Sequence, residues 1–253
     1  MTSISVGYIT TDNDIPFLLM SIEQIETYVD EIIIIQNSMG DNTNKLINYI
    51  KGRDKYKHII TKYSGNNGSE YNKILRYVSS EWLLILDSDE VISDNAYLLR
   101  DYAKENKFNC YSIRMNHCVY DLAHIDSSLA GDYNTTDNKY DHYVIKRFFK
   151  MKKGIHWDDT EHSTIQGFDI NELGLISDVI IWHYGKAKNV LELRDKYRMN
   201  LSRSTIHNKA YLDGWYFNHL IGSYPRKIIN IKEHPGVVRR EFYINELRGK
   251  NKL

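Results

Sequence analysis

Strand-like and helix-like segments alternate four times within the first 90 residues, and this alternation limits the possible folds more than any other feature of the chain. Apolar and β-branched runs predict four strands, with the sequences ISVGYIT (4–10), EIIIIQ (31–36), KHIITKY (57–63) and WLLIL (82–86). Helical patterns separate them, which predicts an α/β fold with a mostly parallel central sheet and helices on both faces. Right-handed crossovers then bring the loops after the strands to one edge, where open α/β sheets bind ligands.

The regular alternation ends after Glu90. Further strands, of which the first two look antiparallel, are predicted for FNCYSIRMNHCVYD (108–121), HYVIKRFFKMKKG (142–154) and SDVIIWHYG (177–185), and a helix for NVLELRDKYRMNLSRS (189–204). We therefore expect one domain over residues 1–185, with halves at 1–95 and 96–185, and a helical basic extension over 186–253.

The chain is neutral as a whole, with 33 Lys and Arg residues against 33 Asp and Glu residues, but its charges are unevenly distributed. Residues 1–185 hold 18 basic and 27 acidic residues, whereas residues 186–253 hold 15 basic and 6 acidic residues. An acidic body suits a bound cation and a basic tail suits an anionic partner. Docking of the tail on the body by complementary charge explains the same asymmetry, and both interpretations stay open.

Three absences in the sequence define an expected location. No apolar run approaches the roughly 20 residues that span a bilayer, and the N-terminus lacks the pattern of a secretory signal. The two cysteines, Cys110 and Cys118, form neither a metal-binding pattern nor a disulfide framework. We expect a cytoplasmic protein. The basic tail mixes aromatic and basic residues, and its aromatic residues are expected to pack in a core. Peripheral contact with the inner face of a membrane is the alternative.

The segment LLILDSDE (83–90) ends an aliphatic strand on three acidic residues within four positions. Carboxylates two positions apart at a strand exit, Asp87 and Asp89, suit a divalent cation that carries a phosphorylated substrate. A solvated acidic turn, or Asp89 and Asp94 acting as helix caps, is the alternative. Because this loop lies at the expected ligand-binding edge, we favour the cation site.

These residues resemble those of family 2 glycosyltransferases with a GT-A fold, which have a Rossmann-like nucleotide-binding half. The resemblance covers about the first 95 residues, through SVGYITTDNDIPFLLMSIEQI, VDEIIIIQNSMGDNT, NNGSEYNKIL and EWLLILDSDEVI, the last of which matches the family's DxD signature. A weaker match covers VIKRFFKMKKGIHWDDTEHS and IIWHYGKAKN. The resemblance implies a nucleotide-sugar transferase that requires Mn²⁺ or Mg²⁺.

The resemblance also assigns residues to the donor site. Candidate nucleotide-sugar contacts are Thr10, Thr11, Asp12, Gln36, Asn72, Asp87 and Ser88, and candidate metal ligands are Asp87, Asp89 and His183. Where the family commonly has an Asp, this chain has Gln36, whose amide can still hydrogen-bond a base edge. A UDP-sugar is the favoured donor, and GDP- and dTDP-sugars are alternatives.

An inverting transfer needs a general base that reaches the acceptor hydroxyl. The segment HWDDTEH (156–162) offers Asp158, Asp159, Glu161 and His162, of which we rank Asp159 and Glu161 first. On the preceding strand, Lys146 and Arg147 are expected either to meet phosphate or acceptor or to form a surface pair.

The expected acceptor is a glycan, a lipid-linked molecule or a protein, and no nucleic acid partner is expected. Two other functions fit parts of the pattern. A nucleotidyltransferase would use the same carboxylate pair, and an inactive sugar-binding or assembly module would tolerate Gln36.

Overall fold

The structure is a computed structural model, and it describes residues 2–119, 124–126, 144–158, 164–187, 226–228 and 230–240. Its strands are β1 (Ile4–Thr10), β2 (Glu31–Gln36), β3 (Tyr56–Ile60), β4 (Trp82–Asp87), β5 (Glu90–Ile92), β6 (Cys110–Val119), β7 (His124–Asp126), β8 (Val144–Lys150), β9 (His156–Trp157), β10 (Ile165–Gln166), β11 (Leu173–Lys186) and β12 (Arg226–Ile228). Its α-helices are α1 (Ile15–Ile25), α2 (Thr43–Ile50), α3 (Asn67–Leu75) and α4 (Leu99–Glu105).

One sheet organises the molecule, with its main strands in the order β12-β7-β6-β8-β4-β1-β2-β3. Strands β4, β1, β2 and β3 are parallel, and β8 runs antiparallel to both β4 and β6. Strand β11 lies off this path, where it pairs parallel with β6 and antiparallel with β5. The predicted α/β fold, a mostly parallel sheet with an antiparallel portion, is confirmed. The predicted last strand is longer than expected, because it begins at Leu173 rather than at Ser177.

Alternating residues of the central strands enter two separate cores. In β2, Ile32 and Ile34 pack into one hydrophobic cluster, whereas Ile33 and Ile35 pack into another. Successive side chains of a strand point to opposite faces, so a strand covered on both faces must be apolar at every position. This requirement explains why the run EIIIIQ is continuous rather than alternating.

Helix α3 lies very close to strand β1. A Cβ atom placed on Gly7 would lie 2.5 Å from Cγ2 of Ile74, so any larger residue there would push the helix away. Asn66 begins this helix, since its side-chain oxygen accepts a hydrogen bond from the Ser69 N–H at 2.7 Å. The close contact places the residues of α3 next to the exit of β4.

Part of the basic tail docks on the body. Arg240 forms two hydrogen bonds of 2.7 Å with the Glu23 carboxylate, and Arg239 lies 3.2 Å from Asp94. Val237 joins a small hydrophobic cluster on the body. Docking by complementary charge, one of the two interpretations of the asymmetry, thus occurs within residues 230–240.

Other parts of the tail cannot be compared with expectation. The predicted helix over 189–204 lies outside the described residues, and the division at residue 185 stays a prediction. Among the helices that the structure does describe, none combines the length and the apolar character needed to cross a membrane.

Candidate active site

The acidic loop lies at the edge where the parallel strands end. Strand β4 ends at Asp87, and β5 begins at Glu90. In the sheet, Asp87 is in register with Ile9, and Thr10 on the same neighbouring strand is in register with Gln36. The predicted nucleotide-side residues and the acidic loop therefore share one edge of the sheet, as the strand order implied.

Asp87 is held by two donors from different elements. The Tyr71 hydroxyl donates to its Oδ1 at 2.7 Å, and Nη2 of Arg147 donates to its Oδ2 at 3.2 Å. Its own N–H donates to Oε2 of Glu90 at 2.9 Å. The carboxylate orientation is thus fixed before any ligand binds, although its side chain remains 36% exposed.

A buried ion pair lies beneath this carboxylate. Nη2 of Arg147 donates to Oε1 of Glu90 at 2.7 Å, and both side chains are almost completely buried. The Nε atom of Arg147 is buried without a hydrogen-bond partner. Strand β8 has one extra residue, Arg147, at a register shift against β6. Phe148 pairs with Tyr111 and Lys146 pairs with the next residue, Ser112, so Arg147 has no partner in β6. Such bulges redirect a side chain, here into the interior beside the acidic loop.

The charges of this group follow from its burial. Burial raises the pKa of Glu90 to about 7, the Asp87 charge adds to the rise, and Arg147 and His183 oppose it. Burial disfavours the charged form of Arg147, but Glu90 and Asp87 outweigh it and keep its pKa above the usual range. Burial and the Asp87 charge raise the pKa of Tyr71, so its hydroxyl stays protonated and can donate.

Asp89 and His183 face each other beside this group. Strand β11 pairs His183 with Glu90, and the Tyr184 N–H donates to the Asp89 carbonyl at 2.8 Å. Nε2 of His183 lies 3.4 Å from Oδ1 of Asp89. A Cβ atom on Gly185 would lie 2.6 Å from this Nε2 and 2.7 Å from Oδ2 of Asp89. Only glycine leaves the space beside both atoms open.

This donor pair fits a divalent cation. Two ligands at about 2.1 Å from an octahedral ion lie about 3 Å apart, which is close to the observed separation of Asp89 and His183. Mg²⁺ is typically held by one or two carboxylates together with substrate phosphates. Within the described ranges, no group of three or more His, Cys, Asp or Glu side chains is arranged to hold a metal ion. Tyr71 and Arg147 already donate hydrogen bonds to the two carboxylate oxygens of Asp87. The role of Asp87 as a third metal ligand stays a prediction.

Asp12 ties the loop after β1 to helix α2. Its Oδ1 accepts hydrogen bonds from the Thr43 N–H at 2.8 Å and from the Thr43 hydroxyl at 2.7 Å. Its N–H donates to Oγ of Ser38. Burial raises the pKa of Asp12, but the hydrogen bonds from Thr43 and Asn42 outweigh it and lower the pKa below its usual range. Asp12 is therefore an ionised carboxylate that organises this edge of the sheet.

The residues that precede Asp12 are engaged locally. The buried Thr10 donates from its hydroxyl to the Thr11 carbonyl, and Thr11 donates to Oδ2 of Asp14 at 2.8 Å. Ser88 lies buried between the two aspartates of the acidic loop. Direct nucleotide contacts by Thr10, Thr11, Asp12 and Ser88 stay predictions.

Gln36 departs from its expected position facing the nucleotide. Its side chain is fully buried, and its Nε2 donates to the Ser38 carbonyl at 2.6 Å and to Oγ1 of Thr43 at 2.7 Å. Nε2 of His58 lies 2.8 Å from its Oε1. Both amide hydrogens are thus used inside the protein, and this geometry argues against the expectation that Gln36 reads a base edge. The start of α2 covers the end of β2, and contact of Gln36 with the nucleotide stays a prediction.

Asn72 anchors the hairpin formed by β9 and β10. Its Nδ2 donates to the Trp157 carbonyl at 2.8 Å, and its Oδ1 accepts from the Trp157 N–H at 2.9 Å. The next residue, Asp158, accepts the Thr164 N–H at 3.1 Å. The other candidates for the base, Asp159, Glu161 and His162, lie outside the described residues. Asn72 positions the strand that leads to them, and its predicted nucleotide contact stays a prediction.

Two side chains of this site were not expected as members of it: Tyr71, which donates to Asp87, and His117, whose Nδ1 lies 2.8 Å from Nδ1 of His183. Tyr71 and His117 carried no local signal, since an aromatic residue in a helix and a histidine in a strand are ordinary core residues. Arg147 was expected to meet phosphate, acceptor or the surface, yet it is buried against Glu90 and Asp87. The two adjacent basic residues in the middle of the otherwise apolar run VIKRFF were the one available hint.

Comparison with known proteins agrees with this architecture. The family model described as "Glycosyl transferase family 2" matches residues 9–161. A 91-residue stretch is 31% identical to poly-beta-1,6-N-acetyl-D-glucosamine synthase of Staphylococcus epidermidis and covers 35% of this chain and 22% of that protein. An 86-residue stretch is 27% identical to an uncharacterized glycosyltransferase of Mycoplasma genitalium and covers 31% of this chain and 28% of that protein.

The chain thus spans less than a third of the length of either relative. Among solved structures, residues 1–349 of S. aureus TarS in complex with UDP are similar, with a TM-score of 0.50 at 12% identity. This similarity covers 87% of this chain and 71% of that one. At such low identity, it shows a shared fold.

Proposed function

This chain belongs to glycosyl transferase family 2, and from that premise we propose that it moves a sugar from a nucleotide-diphosphate donor to an acceptor hydroxyl, in a reaction that depends on a divalent cation. One observation carries the cation dependence. Asp89 and His183 face each other at 3.4 Å beside the open space at Gly185, next to a carboxylate already oriented by its neighbours.

The residues of the site have different roles in this reaction. Bound Mn²⁺ or Mg²⁺ supplies positive charge that stabilises the departing diphosphate. Asp89 and His183 would hold that ion through one oxygen and one nitrogen. Asp87 is fixed by Tyr71 and Arg147 and presents an oriented carboxylate to the donor. This contact helps to hold the donor in the geometry needed for reaction.

We propose a UDP-sugar as the donor. TarS, which shares the fold, was solved with UDP, and the S. epidermidis relative is named as an N-acetylglucosamine polymer synthase. The acceptor is a glycan, a lipid-linked molecule or a protein. The transfer inverts the anomeric centre, and the base is one of the carboxylates that follow Trp157 in the sequence, Asp158, Asp159 or Glu161.

The test is donor turnover by the Asp89→Asn variant. Nucleotide released from a panel of UDP-, GDP- and dTDP-sugars is measured with Mn²⁺ and after chelation. Loss of a group that stabilises transition-state charge typically lowers the rate by about 10²-fold or more. Asp101→Asn is the matched control, because Asp101 is exposed on α4 and forms a surface ion pair of 3.6 Å with Lys104.

Two outcomes would contradict the proposal. Wild-type turnover by Asp89→Asn, with unchanged dependence on Mn²⁺, would remove Asp89 from the site. Tight binding of a nucleotide sugar without turnover of any donor would favour the inactive binding module.

A further inference from the structure

Two histidines meet at the site on neighbouring strands. His117 of β6 and His183 of β11 are in register, and their Nδ1 atoms lie 2.8 Å apart. The ring centroids are 4.9 Å apart, and the ring planes are nearly perpendicular. This separation is that of a hydrogen bond between two ring nitrogens, in which one must donate and the other accept.

The other nitrogen of His183 determines which ring donates. Nε2 of His183 faces Asp89, so binding of a cation between them needs a free lone pair on Nε2. A neutral imidazole has one N–H, which must then lie on Nδ1 of His183. That N–H points at Nδ1 of His117, which accepts it. His117 in turn carries its own proton on Nε2.

We propose that His117 is a positioning residue that fixes the tautomer and the ring orientation of His183 for cation binding through Nε2. The inference deepens the proposed function and rests on it, because it assumes the cation site of Asp89 and His183. Histidine ligands of metals commonly donate their second N–H to a hydrogen-bond acceptor, usually a carboxylate, a backbone carbonyl or water, and this bond also raises the basicity of the ligand. Here Nδ1 of His117 takes the place of that acceptor.

The sheet explains why a side-chain partner is needed. Strand β11 is paired on both sides at His183, with Glu90 and with His117, so its backbone position is fixed. Rotation of the imidazole about its side-chain bonds is not fixed by the strand. The contact with His117 restricts that rotation.

Mn²⁺ affinity tests the inference without requiring turnover. Free Mn²⁺ is measured by electron paramagnetic resonance during titration of the whole chain, for wild type, His117→Phe and His117→Gln. Loss of such a partner typically lowers metal affinity by about 10- to 100-fold, so we expect this loss for His117→Phe. Gln keeps an acceptor oxygen and should restore most of the affinity. His156→Gln is the control, since His156 is exposed and bonded only locally, to the Gly154 carbonyl.

Titration of His183→Ala and Asp89→Asn separates two kinds of failure. If both weaken Mn²⁺ binding and His117→Phe does not, the role of His117 is wrong and the cation site stands. If neither weakens it, the cation site is wrong and the inference falls with it. If His117→Phe and His117→Gln both lose as much as His183→Ala, His117 binds the ion directly and is not a positioning residue.

A spectroscopic measurement on the wild-type protein avoids variants altogether, so a change in packing cannot affect its result. Long-range ¹H–¹⁵N correlation spectra of the protein saturated with Mg²⁺, which is diamagnetic, report the tautomer of each histidine. We expect the Nδ1–H tautomer for His183 and the Nε2–H tautomer for His117. The opposite pair of tautomers would overturn the proposal.

Discussion

Replacing Arg147 by Met should destabilise the protein strongly, because it leaves a buried carboxylate without its cation. Glu90 is 1% exposed, and Arg147 supplies a hydrogen bond of 2.7 Å to it. Removing one partner of a buried ion pair costs about 3–5 kcal/mol. A chain of this length has an unfolding entropy of about 0.5 kcal/mol/K, so the loss corresponds to a fall in Tm of about 6–10 °C.

The size of the loss should depend on pH. The pKa of Glu90 is raised from 4.5 to about 7, so its contribution to stability is full below about 4.5 and is lost as pH rises through about 7. Without Arg147 the pKa of Glu90 rises further. At pH values above that raised pKa, each additional unit lowers the free energy of unfolding by about 1.4 kcal/mol. The destabilisation by Arg147→Met should therefore be larger at about pH 8 than at about pH 5.

Urea unfolding at both pH values checks this reasoning. Lys150→Met is the control on the same strand, because Lys150 pairs with the surface residue Glu81 at 3.2 Å and should cost less than about 1 kcal/mol. The double variant Arg147→Met with Glu90→Gln should regain about 1 kcal/mol or more, since no carboxylate is left buried. Equal stability of the single and double variants, or equal losses for Arg147→Met and Lys150→Met, would refute the reasoning.

Three further predictions concern single contacts. Tyr71→Phe removes the hydroxyl that donates to Asp87, so steady-state kinetics should show kcat/KM for the donor reduced about 5- to 30-fold. Gly185→Ala places a Cβ within 3 Å of both candidate ligands, so calorimetry should show Mn²⁺ binding weakened about tenfold or more, while the free energy of unfolding changes little. Arg240→Gln breaks an exposed pair with Glu23, and urea unfolding should show a loss below about 1 kcal/mol.

Much of the fold could be predicted because buried parallel strands need continuous apolar runs. The runs at β1, β2 and β4 satisfy that need within six or seven residues each. Strand β5 could not be predicted, since three residues show no periodicity and its partner β11 lies far along the chain. The bulge in β8 had no local signal either, because it arises from the register against β6.

From the residues alone, closeness within the site could be predicted only where they are neighbours in sequence, and His183 was grouped with the acidic loop only through the resemblance. Asp87 and Asp89 follow one strand, so their closeness is local. His117 and His183 are 66 positions apart, and only the pairing of their strands brings them together. Gln36 shows a second limit of sequence reasoning: it ends a strand at the ligand edge, yet its amide donates to Thr43 at the start of α2, a contact that the sequence did not indicate.

The candidate cation site depends on residues beyond the part of the chain that the family model matches, which ends at residue 161. His183 lies on β11, between Trp182 and Tyr184, whose side chains pack with Val237 in the cluster that the docked tail completes. The Tyr184 hydroxyl lies 2.8 Å from Nδ1 of His234. Because successive side chains of a strand point to opposite faces, tail contacts hold one face of β11 while His183 lies on the other. The tail segment 230–240 therefore supports the strand that presents a proposed cation ligand, in addition to neutralising acidic charge on the body.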